Sequence, residues 1–342
     1  MEIKNVKKIL IIQLRRIGDV LLTTPVIESL REHFPQSSID FLVEEPANEV
    51  VQGNPYLDNV IISRKGFFDQ VKLIKKIRQT GYDMVIDFLG NPRSAWICFF
   101  SSGGYRVGFD FRGRQFAYNI IVQRDKSIEY AVDFKMQALG KIGITLPRKE
   151  MFFAITPEAQ SFADKFLDAH RKDGRIFVGI TSCSRRSARM WLKEYFAQIA
   201  DVLIEKYNSQ VILFWGPGEK KRIDKIASLM RNKPVIAPAV TLKQLGALIS
   251  RCKLMITNDN GPMHIAVSVG TPTVTIYGPT SQYNWNPPGE LMHKAVTSDV
   301  GCLRCYMQDC DSMECMKKLT PDKVEPVIKD MLSILTQKAV KK

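Results

Sequence analysis

Long hydrophobic runs are missing from this sequence: no uninterrupted apolar stretch reaches the ~18 residues that a membrane-spanning helix needs. The opening Met1-Glu2-Ile3-Lys4 runs into a strand-like segment and not into a signal peptide, so a soluble, cytoplasmic protein is expected. Also missing is the glycine fingerprint that usually follows the first strand of a nucleotide-binding fold; residues 8–14 lead instead into Arg15-Arg16-Ile17-Gly18-Asp19. Seven cysteines in a cytoplasmic chain argue against a disulfide framework. No aromatic RNA-binding motif stands out, which argues against nucleic acid as a partner. Acidic residues are outnumbered, 35 Asp and Glu against 49 Lys and Arg, leaving +5 in residues 1–150 and +9 in the rest. Neither half is a basic tail, and such a field favours anionic partners without choosing among sugar phosphates, nucleic acid and an anionic leaflet.

What is present alternates. Apolar runs at 8–14, 38–43 and 84–89 read as strands, and segments 20–31 and 67–78 carry apolar residues at helical spacing. The pattern pauses at 146–150 and at Thr156-Pro157-Glu158, where a helix to about His170 is expected. It restarts with strands at 175–180, 210–215, 254–257 and 273–277, and helices at 193–206, 220–231, from Pro262 onward, and 321–335. A chain of 342 residues exceeds what one core usually supports. Two parallel α/β domains, 1–158 and 159–342, with a cleft between them are the simplest account, the last helix packing on either one.

Three segments at strand ends of the second half carry chemistry. Thr257-Asn258-Asp259-Asn260-Gly261-Pro262-Met263-His264 opens a helix, where backbone N–H groups and the positive helix end suit a diphosphate. Gly261 permits close approach, Pro262 costs little in a first turn, and Asp259 can accept from sugar hydroxyls. An Asx turn capping a buried helix, with His264 in the core, reads equally well. Thr181-Ser182-Cys183-Ser184, followed by Arg185, Arg186 and Arg189, offers hydroxyls and guanidinium groups for phosphate oxygens, or is an ordinary basic loop. Trp215-Gly216-Pro217-Gly218-Glu219 places a carboxylate for a ribose diol, or simply for a helix N-terminus.

Taken together, Ile17-Gly18-Asp19-Val20-Leu21, Arg189-Met190-Trp191, Trp215 to Glu219 and Asp259 to His264 resemble glycosyltransferase family 9, in order and spacing across nearly the whole chain. That family contains the bacterial ADP-heptose:lipopolysaccharide heptosyltransferases, and the early segments look most similar to core heptosyltransferases of the II/III type. The resemblance implies a GT-B fold of two Rossmann-like domains facing a central cleft, an acceptor-binding first domain and a nucleotide-sugar-binding second domain. It implies an inverting enzyme with no required cofactor that moves heptose from ADP-L-glycero-D-manno-heptose to the lipopolysaccharide inner core, at the cytoplasmic face of the inner membrane. Asp19 matches the catalytic carboxylate, a base for the acceptor hydroxyl. Gly18 leaves room for the sugar, and Arg15, Arg16, Arg93 and Arg112, with Arg106 and Arg114 nearby, become candidates for acidic groups of the lipid A and core acceptor. Ser182 and Ser184 lie where hydroxyls approach the phosphates, Glu219 matches the ribose carboxylate, Asp259, Asn260 and Gly261 match the loop around diphosphate and sugar, and His264 orients it. Arg189 stands where several members have lysine, which keeps the charge and changes its geometry.

Cys302-x2-Cys305-x4-Cys310-x4-Cys315 has spacing that can hold structural zinc or an iron–sulfur cluster, or can remain as reduced thiols. Phe67-Phe68 with Lys72, Lys75, Lys76 and Arg78 can rest on an anionic membrane, or can be a structural helix with a solvated basic edge. Two other readings stay open: a family 9 enzyme using another nucleotide sugar, and a non-catalytic basic module docking on acidic glycolipid or nucleic acid.

Overall fold

The computed structural model describes residues 3, 5–125, 127–145, 150–289 and 291–340, the last three as backbone only. The pause expected at 146–150 falls outside the described residues except for Glu150. The chain divides into two compact units between Ala154 and Ile155. The boundary expected at 158 falls inside the first turn of a helix, just past that division.

The first unit carries strands β1 (Lys8–Ile12), β2 (Ser38–Val43), β3 (Asn59–Ile62), β4 (Met84–Asp87), β5 (Tyr105–Phe109) and β6 (Ile120–Val122). Its helices are α1 (Ile17–Leu21), α2 (Thr24–His33), α3 (Asn48–Val51), α4 (Phe67–Thr80), α5 (Pro92–Phe100) and α6 (Ala131–Lys141). The second unit carries β7 (Ile176–Thr181), β8 (Ser209–Phe214), β9 (Val235–Ile236), β10 (Leu254–Asn258), β11 (Thr273–Ile276) and β12 (His293–Val296). Its helices are α7 (Pro157–His170), α8 (Lys193–Lys206), α9 (Lys220–Leu229), α10 (Leu242–Ser250), α11 (Gly261–Ser268), α12 (Gln282–Trp285), α13 (Glu314–Lys317) and α14 (Pro321–Val340).

Both sheets are parallel and share one winding. The first runs β3-β2-β1-β4-β5-β6 and the second, read from its other edge, β9-β8-β7-β10-β11-β12. In each, the chain starts in the middle, winds to one side, then returns to the other. The reversal falls between β1 and β4 and between β7 and β10, where β1 pairs Ile12 with Asp87 and β10 pairs Thr257 with Thr181. Ligands of such sheets bind beyond the carboxyl ends of the strands at that reversal.

Local sequence explains the departures from expectation. The helix expected at 20–31 is two helices, because Pro25 has no N–H to continue the ladder and its ring clashes one turn back. Thr23 and Thr24 bridge the break, their hydroxyls donating to the carbonyls of Asp19 and Leu21. α7 begins as expected, Thr156 accepting from Ala159 N–H. α14 packs on its own unit, where Val324, Ile328, Met331, Leu332 and Leu335 join the core with Trp191, Phe196 and Ile276. Its apolar side chains fit there at the spacing one helix face provides.

The first core tolerates little extra volume beside the reversal. A methyl group on Gly108 of β5 would stand 2.5 Å from the ring of Tyr118, which is buried and bonded through its hydroxyl to Asp87. Gly108→Ala is therefore expected to cost about 1–3 kcal/mol in urea unfolding. An unchanged midpoint at constant slope would show that the ring moves freely, against this packing.

Candidate active site

In the first unit, the chain leaves β1 through Arg15 and Arg16, both exposed, and turns into α1 with Gly18 buried and Asp19 half-buried in the first turn. Arg16 caps this helix by backbone, its carbonyl accepting from Val20 N–H at 2.8 Å, so Asp19 is not the N-cap residue. Beneath the loop lies a charge that periodicity disguised. Lys135 sits on α6 beside the buried Val132, Ala138 and Leu139, and is itself only 6% exposed. Its ammonium donates to Gln13 Oε1 at 2.9 Å, while Gln13 Nε2 donates to the carbonyl of Arg15 at 2.6 Å. The same ammonium stands 5.2 Å above the ring of Phe88. A cation at a core position of an amphipathic helix was the sequence signal for it.

Burial pushes Lys135 down to about 8, against the pull of Asp19 and Asp87. Asp87, at the end of β4, is fully buried, and burial raises its pKa. It accepts from the N–H groups of Leu89 and Gly90 and from Tyr118 Oη at 2.8 Å. Two carboxylates and one buried ammonium thus brace the carboxyl ends of β1 and β4.

Beside them is a pocket of about 280 Å³ lined by Arg15, Glu44, Lys65, Asn91, Pro92 and Arg93. It joins Arg15 and Arg93 from the expected set and adds Lys65, Glu44 and Asn91. Arg93 pairs with Glu44, and its pKa is lowered by partial burial and by the charge of Arg15. Three cations against one carboxylate suit an anionic ligand. Asn91 caps α5 with a reciprocal bond to Ser94, fixing that wall. Arg112 lies elsewhere, exposed on the loop after β5.

In the second unit, the loops after β7 and β10 are tied to each other. Asn260 caps α11, accepting from Met263 N–H at 3.0 Å, and its amide donates to the carbonyl of Cys183 at 2.8 Å. Ser184 Oγ donates to the carbonyl of Asp259. Asp259 Oδ2 accepts from Arg189 at 3.1 Å and from Thr280 at 2.8 Å. Gly261 opens α11, leaving its first turn beside Arg189 and Ser184 as a site for phosphate oxygens.

Other expected residues take supporting positions. Ser182 is wholly buried and contributes its carbonyl, which accepts from Asn258 Nδ2 and Arg222 Nε. His264 is buried, edge-on to Trp285 of α12, and burial pulls it down to about 4, so the ring is neutral at physiological pH. Glu219 folds back to accept from Gly216 N–H at 2.7 Å, across a turn that Gly218 makes at φ +83°. The thiol of Cys183 is raised to about 11, chiefly by burial, so it stays protonated at neutral pH. Arg222 was not anticipated. From α9 it reaches Ser182 O and, at 2.6 Å, Trp191 O. Thr280, on the turn after β11, was likewise missed.

The four cysteines of the 302–315 segment are reduced thiols in this structure. Among the described residues no group of three or more His, Cys, Asp or Glu is arranged to hold a metal ion. Cys315 is drawn into the hydrophobic core against Gly278, Cys302 and Cys305 are exposed, and Cys310 accepts from Met313 N–H. The Cys315 thiol is raised above its ordinary pKa first by burial and then by the neighbouring Cys302, Cys305 and Cys310, so the four cysteines lie near one another at this end of the second unit.

The model of glycosyltransferase family 9 (heptosyltransferase) matches residues 70–316. The chain belongs to glycosyltransferase family 9. It is 25% identical over 338 residues to lipopolysaccharide core heptosyltransferase OpsX of Haemophilus influenzae, covering 95% of this chain and 96% of that one. It is 28% identical over 286 residues to lipopolysaccharide heptosyltransferase 3 of Escherichia coli K12, covering 79% and 82%. Among solved structures, a family 9 glycosyl transferase from Veillonella parvula superposes with a TM-score of 0.83 at 25% identity over 97% of both chains. Escherichia coli heptosyltransferase WaaC with ADP-2-deoxy-2-fluoro heptose superposes with a TM-score of 0.70 at 20% identity over 94% and 99%. The two units are the Rossmann-like halves of a GT-B fold, and this family 9 member is a transferase with heptosyltransferases among its relatives.

The buried ammonium gives a pH signature. Lys135 is about 8 when folded and 10.5 otherwise, so between those values the unfolded chain binds the extra proton and folding gains stability as pH rises. Below about pH 8 the burial penalty is complete and constant. The stability of the natural protein relative to Lys135→Met should rise by on the order of 3 kcal/mol between about pH 8 and 10.5, read by urea unfolding. A flat difference would show that Lys135 keeps its proton.

Proposed function

We propose that this enzyme transfers L-glycero-D-manno-heptose from ADP-heptose to the lipopolysaccharide inner core with inversion, at the cytoplasmic face of the inner membrane. The observation that carries this reading is the placement of Asp19 in the first turn of α1, on the segment after β1 whose Arg15 lines a cationic pocket. The names of the relatives, lipopolysaccharide core heptosyltransferases, and of the WaaC structure with a fluorinated ADP-heptose support donor and acceptor.

In this reading the acceptor hydroxyl attacks the anomeric carbon of heptose from the face opposite the diphosphate. The new C–O bond forms as the bond to the phosphate oxygen breaks, ADP departs with the electron pair, and the hydroxyl proton passes to the Asp19 carboxylate. Charge that develops on the sugar is stabilised by the same carboxylate. The α11 N-terminus, Arg189 and Ser184 take the diphosphate, Asp259 and Asn260 the adjoining sugar and loop, and Glu219 the ribose diol. Arg15, Lys65 and Arg93 receive anionic groups of the core acceptor, and Gly18 leaves room for its sugar.

Asp19→Asn removes the proton acceptor while keeping shape. With ADP-heptose and truncated lipopolysaccharide, turnover should fall roughly a hundredfold to ten-thousandfold, while calorimetric ADP affinity stays within about twofold. Retained turnover would remove Asp19 from the chemistry. Saturation by a UDP-sugar in preference to ADP-heptose would change the donor, and a product with retained anomeric configuration would overturn inversion.

A further inference from the structure

The surface of the first unit carries an apolar group too large to be incidental. Trp96, Phe99 and Phe100 project from one face of α5 at helical spacing, and Phe116 joins them from the turn after β5. All four are well exposed, Trp96 at 47%, yet they pack on one another. Trp96 stacks on Phe100 at 5.5 Å between ring centres and meets Phe116 at 4.7 Å, while Phe99 touches both phenylalanines at 5.3 and 5.7 Å. Four aromatic rings gathered in water mark a surface made to be covered.

The neighbouring helix supplies the charge. Leu73 and Ile77 of α4 share a core with Ala95, Ile97 and Cys98 of α5, packed on Leu10, Ile12, Leu42 and Val85. Strand register pairs Ile12 with Leu42 and Leu10 with Val85, which puts those side chains on one face of the sheet. α4 and α5 therefore lie side by side on that face, their other sides turned to solvent. Along α4, Phe67 and Phe68 are 77% and 78% exposed, and Lys72, Lys75, Lys76 and Arg78 are exposed after them. From Arg64 to Arg78 there are six cations and one carboxylate, Asp69. Aromatic side chains beside lysines are the composition of a surface that enters lipid headgroups.

The layer is also continuous with the pocket. Lys65 lines it two residues before α4 begins, and Pro92 and Arg93 line it one turn before Trp96. Both helices start near the pocket, α4 with Phe67 and Phe68 at that end and α5 with Trp96 one turn further on.

We infer that the α4–α5 layer of the first unit is a docking face for an anionic lipid bilayer, with the Trp96 cluster entering the headgroup region and the α4 lysines meeting lipid phosphates. The inference deepens the reading above, resting on it only for the acceptor being lipid-linked. The pocket would then open beside the leaflet in which the acceptor stands.

The test is sedimentation of the full chain with vesicles of equal parts phosphatidylglycerol and phosphatidylcholine, against phosphatidylcholine alone, without nucleotide sugar. Binding is expected with the anionic vesicles, with loss at high salt and a blue shift of the exposed Trp96 emission. Lys72→Gln, Lys75→Gln and Lys76→Gln together should weaken the partition roughly a hundredfold. Trp96→Ser with Phe100→Ser should weaken it roughly tenfold and abolish the blue shift, with the far-ultraviolet circular dichroism of the natural protein retained as the check on folding. Equal partition onto both vesicle types, or unaltered partition of the variants, overturns the proposal. Absence of vesicle binding with self-association that the aromatic variant abolishes assigns the face to a second copy and also overturns it. Vesicle binding by a protein that does not turn over ADP-heptose keeps this face and rejects the reaction, so the two failures are distinguishable.

Discussion

The constraint on which the rest depends is the reversal of winding in each parallel sheet. A parallel strand must be followed by a crossover, and crossovers in these sheets keep one hand, so helices that wind outward in opposite directions cover opposite faces. Between the two innermost strands no crossover covers the carboxyl edge, and the loops there are exposed on both sides. Asp19 and Arg93 leave one such edge, Ser184 and Asp259 the other. The candidate site residues gather at these two places because the backbone leaves those loops free of crossovers.

The first half spends its reversal on charge and the second on neutral hydrogen bonds. Lys135 and Asp87 are ionisable groups inside a hydrophobic layer, which is costly unless each holds the other's field. In the second half the corresponding interior is occupied by amides and hydroxyls, Asn258, Asn260, Thr181 and Thr257, each bonded to a neighbour across the reversal. The charges at that edge are one pair, Arg189 with the buried Asp259, beside the N-terminus of α11.

Much of this was legible in sequence. Central strands read as apolar runs because a parallel sheet buries both faces, and helices α4, α7 and α8 announced themselves by period and by caps such as Thr156. The edge strands β6 and β9, of three and two residues, are too short to show any period, and interior β5, Tyr105–Phe109, was missed as well, Arg106 and Gly108 interrupting its apolar run. The broken α1–α2 pair kept one helical phase across Pro25, so the pattern hid the break. At the site, loop residues with special types were readable, whereas Lys135, Arg222 and Thr280 act across distances in sequence that only folding closes. His264 and Ser182 lie in the expected loops, but their side chains are buried, a direction that type and spacing do not encode.

The web around Trp191 has a bearing on affinity. Its indole donates to Leu319 O at 2.7 Å, its N–H to Asn258, and its carbonyl accepts from Arg222, so the segment after β7 is held at three points before any ligand arrives. A loop already ordered loses little conformational freedom when it closes on a guest. A ligand at this edge would meet a segment whose backbone bonds are already made, so ordering it would take little from the free energy of binding.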